Sequence, residues 1–503
     1  MLCLVVALVL CGCSSTRIVG VRQIGQRQST GESAESSSAA QGGAGGPSAT
    51  DTAGAGGAIT GGAAAGASSS ATGARPVSRP VSSATAPSAV VGHPPGWLPA
   101  GPGTNGVTDS TIKVGLTTVD TAQFNAAFAG VTGNPQAAAS QGYDANAAYT
   151  AVISYINAHG GIAGRTVVPV FYQVNTSNYV TASGRQQETQ RACSRWTEDE
   201  HVFAFVGLND PLIIDCAVKT KTALVSGWLT EARVSDAQAS AGAPYLYQPS
   251  TFTTDRQDRD MAQFFVANGF FDQKAKVALF TEDKAASRNG ADRGMKPILA
   301  AAGIKTVDIY YPDAVESSWN SYVLQMQTQG ITHVIFTAGS GGVLPPLFLT
   351  RAAESQGYRP KWGMASTETP SGLITVGNLP PQQAQNILGM GWIPAGDDGD
   401  ATLQGPEGDE CGKVLKAAGQ PVSDSCNFLF FLRDALAHAT ALSPQGLSAA
   451  VEGLATSFRC YITLDAATKF GPNHHDGASM VRKVVYDPGA NNMIYTGPTQ
   501  TVP

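Results

Sequence analysis

From Ile112 onward the apolar residues switch repeatedly between strand-type runs and helix-type spacing, and the pattern restarts once, near residue 250. Ile112 to Val119 is a strand-type run. Tyr143, Ala147, Ala148, Ala151, Val152, Tyr155 and Ile156 then recur at helical spacing and stop at Gly160-Gly161, a suitable helix end. Thr166 to Val174 reads as a second strand, Thr181 to Trp196 as a helix and Phe203 to Gly207 as a third strand. Pro211 to Thr220 reads as a helix and Thr222 to Gly227 as a fourth strand. After a turn-rich stretch at Pro244 to Ser250 the alternation resumes. Asp258 to Ala267 is helical, Lys276 to Thr281 extended, Asp292 to Ala302 helical, Thr306 to Tyr311 extended, Trp319 to Gln327 helical and His333 to Ala338 extended. Strands alternating with helices of this length predict parallel, doubly wound α/β sheets, and the restart predicts two of them. The tail departs, because Cys426 to Leu442 and Ser443 to Leu454 read as consecutive helices, which suggests a return to the first lobe.

The part from Val107 to Pro503, roughly 400 residues, exceeds what one core usually supports, so two lobes agree with length as well. The formal net charge is −6 with 14% charged residues. No run of Lys or Arg occurs, so nucleic-acid binding lacks its electrostatic footprint. After the first residues no apolar stretch reaches the about 20 residues needed for a membrane-spanning helix. Composition differs sharply between Thr30 and Asn105, where Gly, Ala, Ser, Thr and Pro dominate. Such a segment buries too little surface to offset its ordering entropy and is expected to be disordered, a slack linker or equally a mucin-like or cell-wall-crossing stalk. As a Gly-rich coil of about 75 residues it would reach on the order of 50 Å.

Leu10-Cys11-Gly12-Cys13 follows the apolar run Leu2 to Leu10 and resembles the lipobox of bacterial lipoproteins. The resemblance implies cleavage before a lipidated Cys13 and an extracytoplasmic domain held to the membrane by lipid alone. Several acyl chains, at about 0.8 kcal/mol per buried CH2, would make that attachment stable. The first basic residue is Arg17, so the usual charged start of a secretory signal is missing ahead of the run. Beyond the signal and Cys13, five cysteines are left, an odd number.

Two constellations invite a catalytic reading. His474-His475-Asp476 places two imidazoles beside a carboxylate, but adjacent residues on extended chain point to opposite faces. Gly471-Pro472 and Gly477 bracket them as a turn. Ser340-Gly341-Gly342 lacks the Lys and the spacing of a phosphate loop. No G-x-S-x-G elbow or zincin helix is present, and no CxxC pair supports a metal. The expectation is a protein without enzymatic activity, cofactor or metal.

Ile112-Lys113-Val114-Gly115-Leu116, followed by Ala151 to Asn157 and Ala158-His159-Gly160-Gly161-Ile162-Ala163-Gly164-Arg165, resembles the opening signature of type I periplasmic binding proteins. These are the leucine-binding-like solute receptors of ABC importers. Phe205-Val206-Gly207, Lys276 to Leu279, His333 to Phe336 and Phe470 to Gly477 follow in the family's order. The resemblance covers nearly all of 109 to 495. It implies two Rossmann-like lobes joined by three crossovers, near Gln248 to Thr251, Gly391 to Pro394 and Tyr461 to Leu464. The lobes would be 107–249 with 393–462, and 250–392 with 463–503, after a signal at 1–13 and a linker at 14–106. Gly160, Gly161 and Gly164 are read as a helix end and tight turn rather than as ligand contacts. The resemblance also implies a Cys193–Cys216 disulfide, worth about 3 kcal/mol by chain entropy. A second pairing, Cys411 with Cys426, leaves Cys460 over.

In a doubly wound sheet the ligand sits beyond the carboxyl ends of the strands. That rule selects Thr118 to Thr121, Leu208 to Asp210 and Ser226 to Trp228 in the first lobe, and Glu282-Asp283, Gly339-Ser340 and Ser366 to Glu368 in the second. The expected ligand-binding residues are Asp120, Asn209, Asp210, Ser226, Trp228, Glu282, Ser340 and Glu368. By resemblance, Ser226 stands among the groups that hold an amino-acid carboxylate, and Glu368 near the acid that holds the ammonium. Where the family has pocket tyrosines, this chain has Ser287 or Arg288, and Ser340, a departure from a branched-chain amino acid pocket. Trp228 could stack on a planar or sugar-like solute or pack the interlobe edge, and Asp120 and Asp210 could equally be helix caps. The resemblance implies a monomeric, lipid-anchored receptor that delivers a small solute to ABC permease subunits; the rival is a sensor presenting its closed form to a signalling partner.

Overall fold

The computed structural model describes residues 93–503 except 121, 124–125, 127–128, 131–143, 180, 208–210, 228–233, 313–317, 340–341, 376, 400–408 and 421–423. The expected signal, Cys13 and most of the expected linker lie outside them. Residues 93–106 do not float free, although their composition matches the linker. His93 stacks on Trp97, whose ring lies under the Arg165 guanidinium at 4.6 Å, and Gly101 donates its N–H to the Leu442 carbonyl.

Two sheets organise the chain. The first holds β1 (Thr111–Val119), β2 (Thr166–Val174), β3 (Ala204–Val206), β4 (Ala223–Val225) and β5 (Leu246–Tyr247) in the order β2-β1-β3-β4-β5, all parallel. The second holds β6 (Val277–Glu282), β7 (Thr306–Tyr311), β8 (His333–Phe336), β9 (Lys361–Ala365), β10 (Ile387–Gly391), β11 (Met480–Asp487) and β12 (Asn492–Thr501) in the order β12-β11-β10-β9-β8-β6-β7. Its strands are parallel as far as β10, and β11 and β12 close it antiparallel. β1, β3 and β4 are almost wholly buried, as parallel strands covered on both faces must be.

The first helix shows how locally the sequence acts. In α1 (Ala145–Ala158) Asp144 caps the start by accepting the Ala147 N–H at 3.1 Å, and one apolar face from Ala148 to Ile156 is buried. It ends at Gly160 and Gly161, with φ of +99° and +74°, and a Cβ on Gly161 would fall 1.9 Å from the Arg165 carbonyl oxygen. These glycines serve the turn into β2. α2 (Ala182–Ser194) and α3 (Pro211–Thr220) flank β3, and the Cys193–Cys216 disulfide joins them with Cα atoms 6.2 Å apart. Trp196, fully buried, stacks on Phe205 and donates its indole N–H to the Val170 carbonyl at 3.0 Å. A Cβ on Gly115 would sit 2.9 Å from that indole, so β1 needs glycine there.

In the second half α4 (Thr254–Ala267) begins four residues before the expected start, and helical turns run from Ala285 rather than Asp292. α5 (Trp319–Thr328) and α6 (Leu344–Ser355) follow. The stretch read as turns at 244 to 250 contains β5, whose Leu246 and Tyr247 are buried against β4. A two-residue strand is too short to show a period. After β10 the chain forms α7 (Glu410–Ala417), α8 (Asp424–Ala437) and α9 (Pro444–Leu454). α7 and α8 pack on α1 of the first lobe, and a Cys411–Cys426 disulfide joins them, Cα atoms 5.6 Å apart. Cys460 is buried and belongs to neither disulfide.

The passages between sheets are tied together. Gln248 donates its N–H to the His475 carbonyl and accepts that of Gly477; Leu464 donates to the Trp392 carbonyl. The Trp392 indole N–H donates to the Ser250 carbonyl at 3.1 Å, and its ring meets Phe252 edge to face.

Candidate functional site

Parallel pairing brings the carboxyl ends of each sheet into one row. In the first sheet Leu116, Val206 and Val225 are in register, so Thr117, Gly207 and Ser226 follow side by side, with Thr118 one residue further along β1. Thr118 and Ser226 are each 1% exposed, and the Thr118 hydroxyl has no hydrogen-bond partner. Gly207 takes φ +88°, and a Cβ there would meet the Tyr149 hydroxyl of α1 at 2.8 Å. Gly227 is covered by Ser250 and by Phe428 of α8.

The second sheet carries a denser polar set. Glu282, at the end of β6, pairs through Oε1 with Lys284 at 2.8 Å, while its buried Oε2 has no hydrogen-bond partner. The Ser287 hydroxyl donates to the Gly339 carbonyl at 3.0 Å, joining the loops after β6 and β8. Arg288 instead pairs with Asp283 and lies over the Tyr310 ring. The first turns of α4 reach the same row. Gln257 donates to the Thr367 hydroxyl at 3.2 Å, and Asp258 accepts the Ala338 N–H at 2.8 Å. Burial pushes the Asp258 carboxyl well above the usual carboxylate range, the Ala338 N–H opposing it only in part.

After β9 the chain turns sharply. Glu368, 1% exposed, accepts the Ala365 N–H at 2.6 Å and the Thr367 hydroxyl at 2.8 Å. Thr369 follows in the left-handed region, φ 43° and ψ 59°, with its hydroxyl buried and without a hydrogen-bond partner. A β-branched residue there is strained, and such strain gathers at ligand sites. Ser366 fixes the turn to the second crossover: its hydroxyl donates to Asp397 at 2.6 Å and accepts the N–H groups of Trp392 and Ile393 at 2.7 and 3.1 Å. Thus Thr118 in one sheet, and Gln257, Glu282 and Thr369 in the other, present buried polar atoms that the fold itself does not satisfy.

A profile of the periplasmic binding protein family matches residues 111–475, well over half of the chain. The chain belongs to the type I periplasmic binding proteins. Members of this family bind solutes and are not enzymes, in keeping with the expectation from sequence. This binding protein is similar to a fatty acid ABC transporter substrate-binding protein from Thermomonospora curvata, at 17% identity, covering 80% of this chain and 95% of that one, with a TM-score of 0.54. It is similar to a solute binding protein of an ABC transporter from Rhodopseudomonas palustris BisB5 in complex with 3,4-dihydroxybenzoic acid, at 13% identity, 78% and 97% coverage and a TM-score of 0.54. A branched chain amino acid ABC transporter protein from Thermus thermophilus with bound valine is 12% identical over 78% and 97% of the two chains, with a TM-score of 0.55. No curated protein sequence matches the chain.

Of the eight expected ligand-binding residues of this binding protein, Asn209, Asp210, Trp228 and Ser340 lie outside the described residues. Asp120 accepts the Gln123 N–H at 3.0 Å, the capping geometry that was the alternative for it. Ser226 lies in the first row, and Glu282 and Glu368 in the second. Gln257, Asp258 and Thr369 were not foreseen, since nothing in a helix start or a lone threonine signals that it will face strand ends distant in sequence. The His474-His475-Asp476 turn does not gather a metal site. His474 faces Asp476 at 3.2 Å, and His475 faces Glu452 at 3.4 Å. Among the described residues no group of three or more His, Cys, Asp or Glu is placed to hold a metal, and no helix is long and apolar enough to cross a membrane.

Proposed function

We propose that this protein is a lipid-anchored, extracytoplasmic receptor that captures a small solute between its lobes and hands it to an ABC importer. The observation that carries the reading is the row of buried, partly unsatisfied polar groups at the strand carboxyl ends of both sheets. Ligand contacts from both lobes are what closure requires, because only differential affinity for the closed state shifts that equilibrium. Hydroxyl groups in one row, and Glu282 and Glu368 with the Gln257 amide in the other, suit an amino acid or a related small organic acid. Ser287 and the loop at Ser340, where relatives of the leucine-binding type carry tyrosines, favour a solute other than a branched-chain amino acid. Cys13 would anchor the chain, and the segment to residue 92 would let the receptor reach its permease.

Native mass spectrometry of the gently purified protein tests the proposal. A retained small molecule, or a thermal shift with one class among amino acids, sugars and aromatic acids, is the expected result. An empty protein that responds to none of these classes would overturn it.

A further inference from the structure

A cavity of about 330 Å³ lies beside the first chain passage, at the edge strand β5 of the first sheet. Its walls come from the helix Asp236–Gly242, from Gln248 just after β5, from the start of α4 and from the 473–476 turn, and of the expected ligand residues that lie among the described ones, Asp120, Ser226, Glu282 and Glu368, none lines it. A volume of this size sits at the small end of small-molecule sites.

Two buried side chains line it with unspent hydrogen-bonding capacity. Gln248 is 3% exposed, and neither atom of its side-chain amide has a partner. Arg256 is 4% exposed; its Nη1 donates to Asp476 at 3.1 Å and its Nε to the Pro503 carbonyl at 2.8 Å, yet Nη2 has no partner. Phe252 stacks beneath that guanidinium at 4.7 Å and fixes its plane. Opposite, Val234, Ala239 and Leu246 supply an apolar wall. Asp236, also at the cavity, is bonded to the Thr253 hydroxyl at 2.5 Å, and burial pushes its carboxyl up. Arg259 stands at the partly exposed side, paired with Asp260 at 3.5 Å.

We propose that this cavity binds a small monocarboxylate with a short apolar body. Its carboxylate accepts from Arg256 Nη2 and Gln248 Nε2, and its body rests on Leu246 and Val234. Asp236 and Asp476 offset the two guanidinium groups in charge, but the unpaired atoms at the cavity include the donors Arg256 Nη2 and Gln248 Nε2, which select an acceptor; an uncharged apolar guest would leave these buried donors unpaired, which costs more than forming the bonds gains. Gln248 belongs to the first passage between lobes and forms a β-bridge with Asp476, in the turn that follows the third. The guest therefore touches the first passage through Gln248, and its occupancy biases lobe opening. This site stands independently of the solute proposed for the strand ends.

Fluorobenzoate is the probe, titrated against the full-length protein by fluorine NMR. Saturable binding is expected, and Gln248→Leu, which keeps the side-chain size and removes both amide atoms, is expected to weaken it by about tenfold or more. Ser240 is exposed at the cavity, so Ser240→Trp fills the space without touching the core; it is expected to abolish binding and serves alone if Gln248→Leu does not fold. No binding to the folded wild type at millimolar probe overturns the proposal, as does affinity unchanged in folded Gln248→Leu. If only Ser240→Trp folds, unchanged affinity in that variant overturns it.

Discussion

Asp397 offers a prediction with a defined sign. It is fully buried, and one oxygen, Oδ2, accepts from Ser366 at 2.6 Å, Tyr495 at 2.8 Å and the Ile393 N–H at 2.9 Å; Oδ1 has no hydrogen-bond partner. Burial is the larger influence and outweighs these three donors, raising the pKa from 3.8 to about 7. A carboxyl raised in the folded state binds its proton more tightly there than when unfolded. Its contribution is therefore fully present below about pH 4 and is lost as pH rises towards 7. Integrated over that window at about 1.4 kcal/mol per pH unit, the loss is about 4 kcal/mol. Asp397→Asn keeps the shape and the acceptor for all three donors, and cannot ionise. The variant is expected to match wild type near pH 4 and to exceed it by about 4 kcal/mol at pH 8. Urea unfolding at a series of pH values, followed by tryptophan fluorescence, measures both curves. Parallel curves for the two proteins would refute the reasoning, because the carboxyl would then carry no proton linkage in this window.

Asp476 has the opposite sign: burial pushes it up, but Arg256, His474 and the Thr253 N–H outweigh this and hold it at about 2. Its contribution of about 2 kcal/mol is present above pH 4 and is lost as pH falls towards 2, a loss that pH-dependent unfolding of Asp476→Asn should not show. Replacing Cys193 and Cys216 together by Ser is expected to cost about 3 kcal/mol in denaturant unfolding under oxidising conditions and nothing under reducing ones. Gly115→Val would drive a side chain into the Trp196 indole, for a loss of about 3 kcal/mol and a changed tryptophan emission; an unchanged melting temperature would contradict the contact. Glu368→Gln is expected to weaken the retained solute by about tenfold while leaving the melting temperature within a few degrees, read by calorimetric titration with the molecule found by mass spectrometry.

The alternating pattern from Ile112 to Ala338 was sufficient for two α/β lobes, because each parallel strand and its covering helix write their own period into contiguous residues. Gly160 and Gly161 were equally legible, since a helix stop acts within one turn. So was the pair Cys193–Cys216, once family likeness was added to the count of cysteines; Cys411–Cys426 was one choice among the remaining cysteines, and the structure joins that pair too. Of the candidate site, the strand-end rule picked out Ser226, directly after β4, Glu282, the last residue of β6, and Glu368, at the end of the turn after β9. What sequence could not supply is whatever depends on a distant neighbour. Leu246 and Tyr247 are a strand only because β4 lies beside them, and the antiparallel closure by β11 and β12 only because β10 offers an edge. Gln257 meets Thr367 across 110 positions, and Arg256 meets Asp476 across 220. Periodicity records which face of an element is buried, but not which other element buries it. The tertiary fold decides that pairing, and with it which of the buried polar groups are satisfied and which are left for a ligand.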